Sequence, residues 1–199
     1  MILEGIVTTL SPEGIPNLAP MGPKVEDKSL RRFILRPYRT STTYRNLREH
    51  GEGVLHVTDD VLTLARAAIG TVGDACYRPA DVVAGVVWLG ACRYHEFRVI
   101  SLDDSEARTT IVAESVASGH LRELFGLNRA KHAVVEAAIL ATRIDILPIH
   151  EILVEYAKLK ILVEKTGGPH EHMAFHLLTS HVEAAARLQG SNIHMDVRP

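Results

Sequence analysis

The stretch SPEGIPNLAPMGPKVED, residues 11–27, decides how the chain is read. Its opening places Pro12 where a turn uses a preset backbone angle and Gly14 where a turn uses a positive one. The runs on either side, ILEGIVTTL and IPNLAPMGPKV, are therefore expected to pair as an antiparallel hairpin. The second run is irregular. Pro16, Pro20 and Pro23 are expected to break its ladder and Gly22 to bare its backbone, leaving an edge against which a flat ligand could lie.

Outward from this hairpin, LRRFILRPY and GVLHVT continue the strand texture, with Val, Ile and Thr between turn residues. Two helices interrupt it. STTYRNLREHG spaces Tyr44 and Leu47 on one face and can end at Gly51 or Gly53. TDDVLTLARAAIG repeats apolar residues at helical spacing behind a Thr58 or Asp59 cap. VVWLGACRYHEFRVISL and ARTTIVAESVAS flank the polar turn DDSE, residues 103–106, and are expected to form a long hairpin that closes a barrel or strongly bent sheet.

After about Gly119 the texture is helical. Asn128 is placed to cap a segment that is apolar nearly all round over residues 134–141. Pro148 suits the start of the next helix, and Gly167 and Gly168 its end. The last, PHEHMAFHLLTSHVEAAARLQG, is expected to stop at Gly190 and leave SNIHMDVRP as a mobile or draped tail. The fold class is α+β, an antiparallel barrel-like domain over residues 1–118 followed by a helical C-terminal domain over residues 119–199.

Composition narrows the function classes. Among 199 residues, 46 % are hydrophobic, enough for a sizeable core, and the net charge of -2 gives no global attraction to nucleic acid or an anionic membrane. Cys76 and Cys92 have no metal-ligand or redox spacing and read as reduced, buried thiols. The N-terminus lacks a secretory pattern and no apolar run is long enough to cross a bilayer, so a cytoplasmic location is expected.

The chemistry concentrates in RPYRTSTTYRNLREHGEG, residues 36–53. Thr40, Ser41, Thr42 and Thr43 stand in a row at a helix start, beside Arg36 and Arg39. Unpaired amides, the helix dipole, hydroxyl donors and guanidinium groups together make a phosphate seat. An ordinary capped helix with solvated arginines explains the same residues, and the residues alone leave both readings open. Neither G-x-G-x-x-G nor G-x-x-x-x-G-K-[ST] occurs, which argues against a dinucleotide Rossmann site or a nucleotide-hydrolysing P-loop.

Other clusters are weaker. His170, His172, His176 and His181 raise a metal site, but H-E-x-x-H is absent, and polar histidines on an amphipathic helix are the preferred reading. His56, His95 and Glu96 lie on expected strands with no Ser or Cys nucleophile placed beside them. Asp59 with Asp60 reads as a helix start, and Asp103 with Asp104 as a turn. Trp88 can pack in the core or face a ligand.

The succession GIPNLAPMGPKVED, FILRPY and TSTTYRNLREHGEGVLHVTDD resembles the flavin-reductase-like FMN-binding split-barrel superfamily, where a P-N-x-A-P strand precedes a strand and a T-x-x-N-L helix start. Within it, the whole chain resembles the prokaryotic family catalogued as domain of unknown function 447. The resemblance implies FMN as cofactor, its phosphate at Arg36, Thr40, Ser41 and Thr42 and its ring near Asn17, Met21 and Gly22. It also implies a homodimer with FMN near the shared interface, and an FMN-dependent oxidoreductase in which no side chain need be a catalytic acid or base. The alternative is a non-catalytic dimeric binding or assembly protein with structural or absent FMN. Unlike flavin reductases, the chain carries no recognisable nicotinamide signature.

Overall fold

The computed structural model describes residues 1–195. In chain order the elements are β1 (Gly5–Leu10), β2 (Pro16–Met21), β3 (Lys24–Val25), β4 (Arg32–Leu35), α1 (Thr42–His50), β5 (Glu52–Val57) and α2 (Val61–Ala68). Then follow β6 (Tyr77–Pro79), β7 (Val86–Trp88), β8 (Arg93–Asp103), β9 (Thr110–His120), α3 (Arg129–Ala141), α4 (Ile149–Thr166) and α5 (Pro169–Met195). Residues 1–60 and 72–125 make one compact unit, and residues 61–71 make a second with the chain from Gly126 onward.

Seven strands pair antiparallel in the order β2-β1-β5-β8-β9-β4-β3. The two edge strands are consecutive in the chain, joined only by Gly22 and Pro23, so the sheet must curl until its edges meet. The N-terminus bridges the seam. Ile2 pairs with Lys24, the Leu3 amide donates to the Pro23 carbonyl at 3.1 Å, and the Val25 amide to the Met1 carbonyl at 2.9 Å. Two register irregularities on the long β8–β9 hairpin add the local bend that a curled sheet requires.

Phe33, Leu35, Leu55, Phe97 and Ile111 fill the interior, with the Phe33 and Phe97 rings edge-on at 5.4 Å, and α1 contributes Tyr44 and Leu47. A smaller core lies on the other face of the sheet, where Val54 and Tyr94 are covered by Val83 and Val87. That cover is pinned through its backbone. The buried Glu96 carboxylate accepts the amides of Asp81, Val82 and Val83 at 2.8, 2.7 and 3.2 Å.

The helical unit is built on small residues. Ala130, Ala133, Ala137, Ala138 and Ala141 line the buried side of α3, and Tyr156 of α4 donates to the Ala137 carbonyl at 2.6 Å. Asn128 caps α3 by accepting from Lys131 N–H at 3.1 Å, as its sequence position suggests. The segment 134–141 is not apolar on every side, because Glu136 is exposed.

Several expectations are corrected. Pro16 and Pro20 do not break the ladder: β2 pairs with β1 along its whole length, because an edge strand needs amides on one side only. VVW does not belong to the long hairpin but pairs, as β7, with β6. The Asp59 carboxylate accepts from Arg122 Nη2 at 2.6 Å and from the Phe125 amide at 2.7 Å, bonds its sequence position did not suggest. Cys76 is exposed, whereas Cys92 is buried. Helix α5 runs through Gly190 to Met195, so residues 191–195 are not a tail; residues 196–199 lie outside the described residues. Trp88 is buried, its ring against Gly90 and edge-on to His56.

His56 yields a pH prediction. Its Nε2 accepts the Trp88 amide at 2.9 Å, while buried Nδ1 has no hydrogen-bond partner among the described residues. Burial lowers its pKa to about 4. Between pH 6.5 and 4 the unfolded chain therefore binds a proton that the native state refuses. Stability is full above pH 6.5 and falls as the pH drops through that window, by about 3 kcal/mol in all. Denaturant titrations from pH 7 to 4 should show this slope in the wild type and a shallower one in His56→Gln; equal slopes would contradict it.

Candidate functional site

Thr43 is the key to the region around the start of α1. Of the four consecutive hydroxyl residues it is the buried one, and its Oγ1 accepts from Asn17 Nδ2 of β2 at 3.1 Å. Asn17 Nδ2 also reaches Thr9 Oγ1 of β1 at 3.4 Å, and Asn46 Nδ2 of α1 donates to the same oxygen at 3.0 Å. This polar network fixes the first turn of the helix onto the β1–β2 hairpin. Asn17 is thus a positioning residue for the helix start.

The other three hydroxyl residues face outward. Ser41 is the N-cap, with extended backbone, and its Oγ accepts the Tyr44 amide at 3.2 Å. Thr42 Oγ1 accepts from Arg45 Nη2 at 3.0 Å, and the Thr40 carbonyl from Arg45 Nη1 at 3.2 Å. Each hydroxyl oxygen that accepts in this way still has a hydrogen to donate. The amides of Thr42 and Thr43 belong to the open first turn, where no intrahelical carbonyl is available. The capping role read from the sequence is real, and it leaves donors over.

Arginines lie on the helix and on the segments beside it. Arg36 and Arg39 are exposed on the incoming segment, Arg45 lies on the helix, and Arg108 comes from the β8–β9 turn. Arg108 is held in place: its Nε donates to the Arg36 carbonyl at 3.1 Å and its guanidinium lies 5.6 Å from the centre of the Tyr38 ring. The carboxylate of Asp104, in the β8–β9 turn, is engaged. Asp104 accepts from the Tyr44 hydroxyl at 2.6 Å, and that bond, with Arg48 and Arg39, holds its carboxyl below the usual range. The result is a positive, donor-rich surface facing solvent.

Met21 and Gly22 lie elsewhere. They close β2 at its far end, about 13 Å along the strand from Asn17. The partly buried Met21 side chain packs against the barrel core. Gly22 sits at the seam, where a Cβ would come within 2.9 Å of Ile2 Cγ2. The structure therefore places Asn17, Ser41 and Thr42 at the start of α1, with Arg36 and Thr40 on the segment leading into it, and Met21 and Gly22 at the far end of β2. Beside the first half of β2, a hollow of about 310 Å³ is lined by Pro16, Leu18, Gly73, Asp74 and Tyr77.

Arg108 and Asn46 escaped the sequence reading. Arg108 is far away in the chain, and only the register of the long hairpin delivers it. Asn46 follows the hydroxyl row at helical spacing from Thr43, which was a usable signal. Ser115 Oγ lies 3.4 Å from His95 Nδ1 across β8 and β9, a pair also missed, but the neighbouring Glu96 is committed to loop amides. Among the described residues no three His, Cys, Asp or Glu side chains group as metal ligands, and no helix is long and apolar enough to cross a membrane.

Comparison with known proteins places this arrangement. Among solved structures, the FMN-bound protein MM1853 from Methanosarcina mazei superposes with a TM-score of 0.78 at 24 % identity, covering 90 % of this chain and 94 % of that one. Flavoredoxin from Methanosarcina acetivorans gives a TM-score of 0.52 at 11 % identity over 60 % of this chain and 68 % of that chain. Component B of nitrilotriacetate monooxygenase from Bacillus cereus gives 0.50 at 20 % identity over 61 % and 71 %. At these identities the likeness shows the fold, that of the FMN-binding split barrel with added C-terminal helices. No curated protein matches the chain. The family model described as protein of unknown function (DUF447) N-terminal domain matches residues 3–122, and its companion, protein of unknown function (DUF447), matches residues 128–180. The chain belongs to the DUF447 family.

Proposed function

We propose that the protein binds FMN with its phosphate at the start of α1 and works as a flavin-dependent oxidoreductase. The observation that carries the reading is the open first turn of α1, pinned by Asn17 and Thr43 and bonded by Arg45, with the exposed Arg36 and Arg39 on the segment that leads into it and Arg108 held against that segment. The donor set fits a phosphate dianion: backbone amides at a helix N-terminus, hydroxyls and fixed guanidinium groups. The fold it shares with the FMN-bound DUF447 structure supports the same assignment. Bound flavin would supply the electron-transfer chemistry. The chain's own part is to seat the phosphate, orient the ring and limit the access of water. A homodimer with the flavin near the shared surface belongs to the proposal.

The phosphate makes the test. Riboflavin lacks it, so FMN should bind much more tightly than riboflavin, and Arg36→Ala should weaken FMN roughly 10- to 100-fold while leaving riboflavin unchanged. Ser41→Ala acts on the cap as well and should cost about 1 kcal/mol of stability. Equal affinity of the wild type for FMN and riboflavin would remove the phosphate assignment. Anaerobic mixing of the loaded protein with NADH or NADPH then tests catalysis. Bleaching of the flavin supports a reductase, and FMN that binds but resists both donors favours a binding protein.

A further inference from the structure

Helix α4 has two apolar faces. Ile152, Tyr156 and Val163 are buried in the helical unit, as their spacing of four and seven requires. On the outward side a second series, His150, Val154, Ala157, Ile161 and Glu164, steps by four and three residues in turn, the spacing of a helix seam. Val154 is 56 % and Ile161 50 % exposed, with Leu153 at 36 % beside them. Val154, Ala157 and Ile161 form a short apolar strip on this face, and among the described residues it stays exposed.

The charges identify the occupant. Before Ala157 the helix carries Glu151 and Glu155, with His150 and no Lys or Arg; after it come Lys158, Lys160 and Lys165 with the single acid Glu164. Lys158 pairs with Glu155 at 2.6 Å and Lys160 with Glu164 at 3.6 Å along the exposed surface. Such a helix is complementary to itself when reversed. Around a two-fold axis at Ala157, the acidic half of each copy meets the basic half of the other, and the small Ala157 side chains allow close approach. Ile161 of the second copy then comes level with Leu153. Beside it lies a hollow of about 280 Å³, with Leu140, Leu147, Ile152 and Val154 as its apolar lining and His150, Glu151 and Glu155 as its polar lining.

We propose that the outward face of α4 docks, antiparallel, onto the same face of a second copy of this chain. The helix is about 27 Å long, so the contact alone is modest in area and weak. It is independent of any pairing through the barrel, and where a barrel dimer exists it joins dimers into larger assemblies.

The experiment is sedimentation velocity on the full chain over a concentration series. The wild type should form an assembly one step larger than Ile161→Glu, which places a charge in the seam and should raise the dissociation constant at least about tenfold. Because Ile161 is half exposed, the variant should keep the wild-type circular dichroism and melting temperature. Charge reversal gives an independent reading. A chain with Glu151→Lys and Glu155→Lys, and another with Lys158→Glu, Lys160→Glu and Lys165→Glu, should each lose the larger assembly, and mixing them should restore it. Identical masses for the wild type and Ile161→Glu at every concentration overturn the proposal, as does a mixture no larger than its components. FMN affinity plays no part in the readout, so the result stands apart from the flavin proposal.

Discussion

A fragment ending at Phe125 should aggregate, although it contains every strand of the barrel. The reason is α2. The chain leaves the sheet after β5, makes this helix, and returns to the sheet, but the helix packs against α3 and α5. Val61, Leu62, Leu64 and Ala65 are buried there. Without the later helices these side chains return to water, a loss of about 6 kcal/mol, comparable with the whole stability of an ordinary domain. Expression of residues 1–125 should give insoluble or dye-binding material. The same fragment with residues 61–71 replaced by a short glycine-serine linker should recover solubility, which attributes the defect to α2. A soluble 1–125 fragment that melts cooperatively with α2 intact would show that α2 does not need its helical partners.

That swapped helix also shows where reading the sequence stops. Local signals were legible because they are settled within a few residues: the Ser41 and Asn128 caps, Pro148 before α4, and the turn at SPEG all appear where their chemistry puts them. The apolar stripe of α2 was equally plain, but a stripe says that a face is buried and not against what. Gly190 misled for a related reason. Glycine costs a helix interior only about 1 kcal/mol, which does not by itself end a helix. In the candidate site the outward hydroxyls and arginines were visible as a cluster. That Thr43 turns inward to bond Asn17, and that Asn46 joins them through Thr9, was not, because these segments meet only once the hairpin register is set.

Glu96→Ala should be among the most destabilising single changes in the barrel. The position looks surface-like in the sequence, a glutamate between histidine and phenylalanine on a strand, yet its side chain is fully buried under the segment between β6 and β7. Its carboxylate is the acceptor for three consecutive amides, those of Asp81, Val82 and Val83, which approach within 3.2 Å. Removing it strands donors that the loop cannot turn to solvent without lifting Val83 and Val87 off the outer core. The expected cost is about 3 to 5 kcal/mol, a fall in melting temperature of roughly 10 °C or more for a chain of this size. Glu96→Gln should recover only part of the loss, since its amide nitrogen is a donor facing donors. Glu52 supplies the control. It accepts the next amide, Ala84, at 2.6 Å, but is also paired with the half-exposed Arg98 at 2.8 Å near solvent, so Glu52→Ala should cost about 1 kcal/mol. Thermal melts of the three variants, with hydrogen exchange at residues 81–84, decide the matter. A Glu96→Ala protein that melts with the wild type, its loop amides still protected, would mean that something other than the carboxylate holds the loop down.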